Sequence, residues 1–137
     1  VAANNLPVYP LTPNTGAKNV VLSTGNTTKD GTAGTTLLFT AGANGSRIKF
    51  IELHATASNV ASLLRVFLNN GSTVGTAANN ILIGELALPI TTLSETTLSG
   101  PPMILPMNRE LAAGEKIYVV LATGATGWAC SAWGEDF

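Results

Sequence analysis

The chain has 137 residues, of which 45% are hydrophobic and 11% charged, with a formal net charge of -1. That length suits one domain with a single core, and the charge content is less than half of the about 25% usual in a soluble domain. The seven basic residues are scattered and matched by eight acids, so no patch exists that would neutralise several nucleic-acid phosphates, and no nucleic-acid partner is expected. A single cysteine, Cys130, excludes an intrachain disulfide, and no Cys/His cluster has zinc spacing; neither metal nor cofactor is expected.

A surface this poor in charge repels itself weakly, which fits a chain covered by copies of itself or by a partner. The apolar runs fall far short of the roughly 20 residues that span a bilayer, and the start VAANNLPVYP has neither the basic nor the continuous apolar stretch of a signal peptide. No membrane partner is expected.

Residues 1–18 carry Pro7, Pro10 and Pro13 at three-residue spacing, with Leu6, Val8, Tyr9 and Leu11 between them. Proline fixes φ and removes a donor, so this segment reads as an extended arm whose apolar side chains need a surface. That surface is either the chain's own sandwich or a neighbouring subunit. Leu6, Val8, Tyr9 and Leu11 are the candidate contact residues of this arm.

From residue 19 to 137 short apolar segments recur between turn signals, and helical periodicity is nearly absent. Strands are expected at 19–23, 35–40, 46–56, 62–69, 81–88, 102–107, 116–122 and 127–133. Eight strands in about 115 residues is the density of an antiparallel β-sandwich or jelly roll. Asn44-Gly45 and Asn70-Gly71 tolerate the positive φ of tight hairpins. The ATGATG stretch at 122–127 predicts that the last two strands form a hairpin.

Alternation assigns Leu64, Val66 and Leu68 to one face of their strand, and Ile117, Val119 and Leu121 to one face of theirs. The opposite faces, with Leu63, Arg65, Phe67, Tyr118, Val120 and Ala122, are also rather apolar, which predicts that some outer faces are covered and points to assembly. In 46–56 the apolar set Ile48, Phe50 slips to Ile51, Leu53, Ala55. A β-bulge or strand bend near Phe50-Ile51 accounts for the slip.

Chemistry is sparse. AGANGSRIKFIELHAT at 41–56 lacks the spacing of a phosphate loop and leads into a strand instead of a helix. Glu52 and His54 lie two apart, hence on one strand face, but nothing selects a third metal ligand or an acid-base partner for them. A Ser/His/Asp set would have to combine His54 with Asp30 or Asp136. Cys130, with Trp128 and Ala132 on its face, reads as a small buried hydrophobe. Trp128 and Trp133 are sugar-stacking candidates, but five residues apart they point to opposite faces. The long connection 89–102, PITTLSETTLSGPP, offers hydroxyls and one acid, so Thr91, Thr92, Ser94, Glu95, Thr96 and Thr97 form a candidate contact loop.

The succession KDGTAGTTLLFTAGANGSRIKFIELHATA, SLLRVFLNNGS, ANNILIGELALPITTLSE and NRELAAGEKIYVVLATGATGWACSAWGEDF resembles small structural proteins of tailed bacteriophages and prophages. The resemblance covers about residues 29–137 and contains no catalytic signature. It implies a β-sandwich virion protein on the capsid exterior, of the decoration or cement kind, made in the bacterial cytoplasm. Its partners would be the major capsid protein and its own copies, as a homotrimer. A tail, baseplate or fibre module that binds host-surface glycan through Trp128 or Trp133 and the 89–102 loop is the alternative. No enzymatic activity is expected.

Overall fold

The computed structural model describes residues 9–125 and 127–137. Leu6 and Val8 lie outside the described residues. Among these the chain forms β1 (Thr12–Asn14), β2 (Val20–Leu22), β3 (Thr36–Thr40), β4 (Ser46–Ala55), β5 (Ser62–Asn69), β6 (Asn80–Leu88), β7 (Met103–Leu111), β8 (Lys116–Leu121) and β9 (Trp128–Asp136). One turn of 3-10 helix, Ala77–Asn79, leads into β6.

The strands build two antiparallel sheets. In one, β9 pairs on one side with β2 and β1 and on the other with β4, which pairs with β7; in the other the order is β3-β8-β5-β6. Consecutive strands change sheet at every step from β2 onward except β5 to β6, which is the connectivity of a jelly roll. The strands expected from residue 19 onward are all present. β7 and β9 run further than alternation suggested, because β7 continues past Pro106 on a sheet edge, where a missing N–H is tolerated.

The core lies between the sheets. Ile48, Ile51 and Leu53 of β4, Leu64 and Val66 of β5, Ile117, Val119 and Leu121 of β8, and Trp128, Cys130 and Ala132 of β9 all join it. Each fully buried aliphatic side chain contributes about 1.5–3 kcal/mol, so the alternation that places them inside also selects the register.

Three sequence expectations need correction. The hairpin between the last two strands does not form: β8 and β9 belong to different sheets, and residues 122–127 cross between them. Asn44-Gly45 is likewise a corner between sheets, although Gly45 does take the positive φ of +87°. The bulge sits earlier than Phe50-Ile51. Ile48 faces Gly134 while Phe50 faces Trp133, so Lys49 is the extra residue relative to β9.

The covered outer face also has a nearer cause than assembly. Arg65, Phe67 and Val120 are buried on the outside of the β3-β8-β5-β6 sheet, and the chain's own 23–35 connection lies there. A Cβ on Gly31 would stand 3.0 Å from the Phe67 ring, and Asn80 Nδ2 donates to Asp30 O at 3.2 Å. Asp30 in turn accepts from the backbone and hydroxyl of Thr32, which hold its carboxyl below the ordinary value.

Register fixes the two ends of the sandwich. Leu22 and Ala55 both face Trp128, and Ser62 faces Leu88, so connections 23–35, 56–61, 89–102 and 122–127 gather at one end. Connections 41–45, 70–79 and 112–115 occupy the other.

Candidate functional site

The outer face of the β2-β9-β4-β7 sheet is open. The Lys49 bulge turns Phe50 outward while Ile51 resumes the inward set, and this brings Phe50 beside Trp133. Their ring centroids are 6.3 Å apart and the planes within 21° of parallel. Trp133 is 41% exposed, whereas Trp128 is 2% exposed in the core, so only Trp133 offers a ring to solvent. Trp133 Nε1 donates to Ser131 Oγ at 3.1 Å, which fixes the indole's orientation. Beside it the Lys49 ammonium meets the Glu135 carboxylate at 2.9 Å.

The arm closes one side of this face. Thr12–Asn14 pairs with Asp136–Gly134 of β9, and Leu11 N donates to Asp136 O at 2.8 Å. Asn14 Nδ2 reaches both Asp136 Oδ1 (2.8 Å) and Thr40 O (2.9 Å), and Ser46 Oγ also donates to Asp136 Oδ1. The described part of the arm therefore lies on the chain's own sandwich from Leu11 onward. Tyr9 and Leu11 keep their side chains 70% and 76% exposed.

The result is a groove of about 450 Å³ between Pro10–Pro13 on one side and Lys49, Phe50 and Trp133 on the other. A second groove of about 370 Å³ adjoins it across Trp133 and Thr15 and extends to His54, Ser131 and Asn19.

His54 Nε2 and Glu52 Oε1 are 3.0 Å apart on the same open face, as their spacing predicted. Among the described residues no group of three His, Cys, Asp or Glu could hold a metal. Asp136 pairs with Ser46, eight positions down β4 from His54, which is on the order of 25 Å at the strand rise. The two do not meet. Cys130 is buried, and burial pushes its thiol up to about 12, so it stays protonated and inert through the neutral range. On β4 and β7, Arg47 Nη2 donates to Glu110 Oε1 at 2.7 Å, which raises the guanidinium further.

The contact-loop residues divide. Thr92, Ser94, Glu95, Thr96 and Thr97 are exposed, but Thr91 is buried and structural. Its backbone exchanges two 3.0 Å hydrogen bonds with Asn59, and its hydroxyl accepts from Asn59 Nδ2 at 3.0 Å. Asn59 also donates to Gly127 O and accepts from Gly127 N, so one side chain pins three loops. Sequence reasoning missed this hub. Its one signal in the sequence is that Asn59 has no glycine beside it, unlike Asn44 and Asn70, which leaves the amide itself as the reason for an Asn.

The structure separates Trp133 from the 89–102 loop. That loop enters β7 at Met103, which faces Leu53, and Leu53 faces Cys130; Trp133 lies three residues beyond, roughly 10 Å along β9.

No family model matches the chain, and no curated protein matches it. Among solved structures, a point mutant of the VP2 protein of Infectious Bursal Disease Virus, in derived T=1 particles, is similar at 16% identity with a TM-score of 0.36. The match covers 89% of this chain and 30% of that one.

Proposed function

We propose that the chain is a non-enzymatic structural protein of a tailed-phage particle that docks on the outer capsid surface as a homotrimer and strengthens the shell by bridging capsomers. The observation that carries this reading is the loop end pinned by Asn59. Ile90 and Leu98 are 73% and 89% exposed there, and Val60 and Leu93 are exposed beside them. The Asn59–Thr91 bridge makes Val60 and Ile90 neighbours, and Leu93 N donates to Ser58 Oγ at 2.9 Å.

Of the four connections at this end, the three that Asn59 pins, 56–61, 89–102 and 122–127, contain one ionisable residue, Glu95, while Lys29 and Asp30 lie in 23–35. Burying such a surface desolvates almost no charge, and the Asn59 hub orders it before contact, so little ordering remains to oppose docking. Several modest contacts per oligomer then add through effective concentration. Tyr9 and Leu11 on the arm would supply further contact area.

The test is co-sedimentation of the purified chain with empty capsids of its own phage. The expected result is binding at a fixed copy number, in multiples of three, with occupancy falling at least about tenfold for Ile90→Asp combined with Leu98→Asp at unchanged thermal stability. Wild-type chain that stays in the supernatant at every concentration rejects the reading.

A further inference from the structure

We propose that the paired grooves flanking Trp133 bind a neutral oligosaccharide, one pyranose lying on the indole and its neighbour extending toward His54. This site is separate from the loop end and stands whether or not that end docks on a capsid.

Shape comes first. The two grooves, about 450 and 370 Å³, share Thr15 and Trp133 and so form one cleft along β9, with volumes inside the about 300–1,000 Å³ range of ligand pockets. A chain of linked rings fits an elongated cleft better than a compact ligand does.

Chemistry supports the same ligand class. An indole face carries the negative lobe of its quadrupole, and the C–H groups on one side of a pyranose are weakly positive, so the two surfaces match. Around the ring stand groups suited to hydroxyls: the Lys49–Glu135 pair supplies donors and acceptors 2.9 Å apart, and Thr12, Thr15 and Ser131 add hydroxyls of their own. Lys49 and Glu135 cancel in charge, and the adjoining groove is lined by Lys18 and by His54, whose ring nitrogen pairs with Glu52. Neither sign dominates, which favours a neutral sugar over a phosphate or a uronic acid.

Preorganisation is the third element. Ser131 holds the Trp133 indole, Phe50 backs it, and the arm wall is hydrogen-bonded to β9 and β3 through Leu11 and Asn14. A ligand entering such a cleft orders little, which is the condition under which a few contacts give measurable affinity.

The experiment follows the two indole N–H resonances of the full-length chain by NMR during titration with maltotriose, cellotriose, chitotriose and mannotriose. Trp128 is buried and serves as the internal control for fold. At least one trisaccharide is expected to move the Trp133 resonance saturably with a Kd on the order of 1 mM, leaving Trp128 in place. Trp133→Ala should abolish binding monitored by calorimetry, Trp133→Phe should retain part of it, and Lys49→Ala should weaken it about tenfold. Thermal melts of each variant establish that the sandwich persists. A Trp133 resonance that ignores all four sugars at about ten times that Kd overturns the proposal. So does one that shifts with protein concentration instead, because the cleft would then be occupied by a second copy.

Discussion

The outer faces of the two sheets begin from similar sequence patterns and end differently. On β5 and β8 the outward residues include Arg65, Phe67 and Val120, and the 23–35 connection helps to bury them until Phe67 is fully enclosed. On β4 and β9 the outward residues include Phe50 and Trp133, and the described part of the arm lies along their side, with a groove between them. An outward aromatic on a strand therefore says nothing by itself about assembly. Its fate depends on whether a connection of the same chain has the length and the turn chemistry to lie across it.

The sharpest test of this contrast is to truncate one aromatic from each face. Phe67→Ala removes a ring that is as enclosed as any core residue, and about 3–5 kcal/mol of stability should be lost. Trp133→Ala removes a larger ring that is already partly in water and should cost about 1 kcal/mol, mainly its contact with Phe50. Urea denaturation of both variants measures the difference directly. Equal losses would mean that the two faces are equally sealed.

The seal itself can be broken without touching the sheet. Gly31 combines a φ of +76° with a Cβ direction that ends 3.0 Å from two Phe67 ring atoms and 3.3 Å from Asn80 Cβ. Gly31→Ala should then cost about 1–3 kcal/mol, from the positive φ and from displacement of the loop off the ring. Gly114 offers the matched control. Its φ is +77° but a Cβ there meets nothing within 4 Å, so Gly114→Ala isolates the backbone part. If the two variants melt together, the 23–35 connection is not what seals Phe67.

Much of this architecture was legible in the sequence, and the rest was illegible for identifiable reasons. Leu64 and Val66, Ile117 to Leu121, and Trp128 to Ala132 announce their strands and their inward faces because a period of two is a local property. Sheet membership is not local. Asn44-Gly45 reports a positive φ, which is present, but a positive φ serves a corner between sheets as well as a hairpin within one. The slip in β4 was visible between Ile48 and Ile51, yet only the register with Trp133 and Gly134 identifies Lys49 as the extra residue. The cleft has the same character. That Trp133 points away from Trp128 follows from their spacing, whereas its wall comes from Pro10–Pro13, more than a hundred residues earlier in the chain.

The smallest expected effects separate the faces again, through their ion pairs. Arg65 Nε donates to Glu85 Oε1 at 3.0 Å, with the arginine side chain 9% exposed and its Nη1 buried with no hydrogen-bond partner among the described residues. Lys49 and Glu135 are bonded at a similar distance, but the lysine is half in water. Glu85→Gln would strip the enclosed guanidinium of its counter-charge while keeping the size of the side chain, so it should cost about 1–2 kcal/mol. Lys49→Ala leaves a carboxylate that the exposed rim can rehydrate and should cost about 0.2–1 kcal/mol, less at high salt. Melting both variants at low and high ionic strength distinguishes the cases: the Glu85→Gln deficit should persist in salt, and the Lys49→Ala deficit should fade. A salt-sensitive Glu85→Gln deficit would mean that water reaches Arg65, and that the cover over the β3-β8-β5-β6 sheet is looser than its enclosure of Phe67 implies.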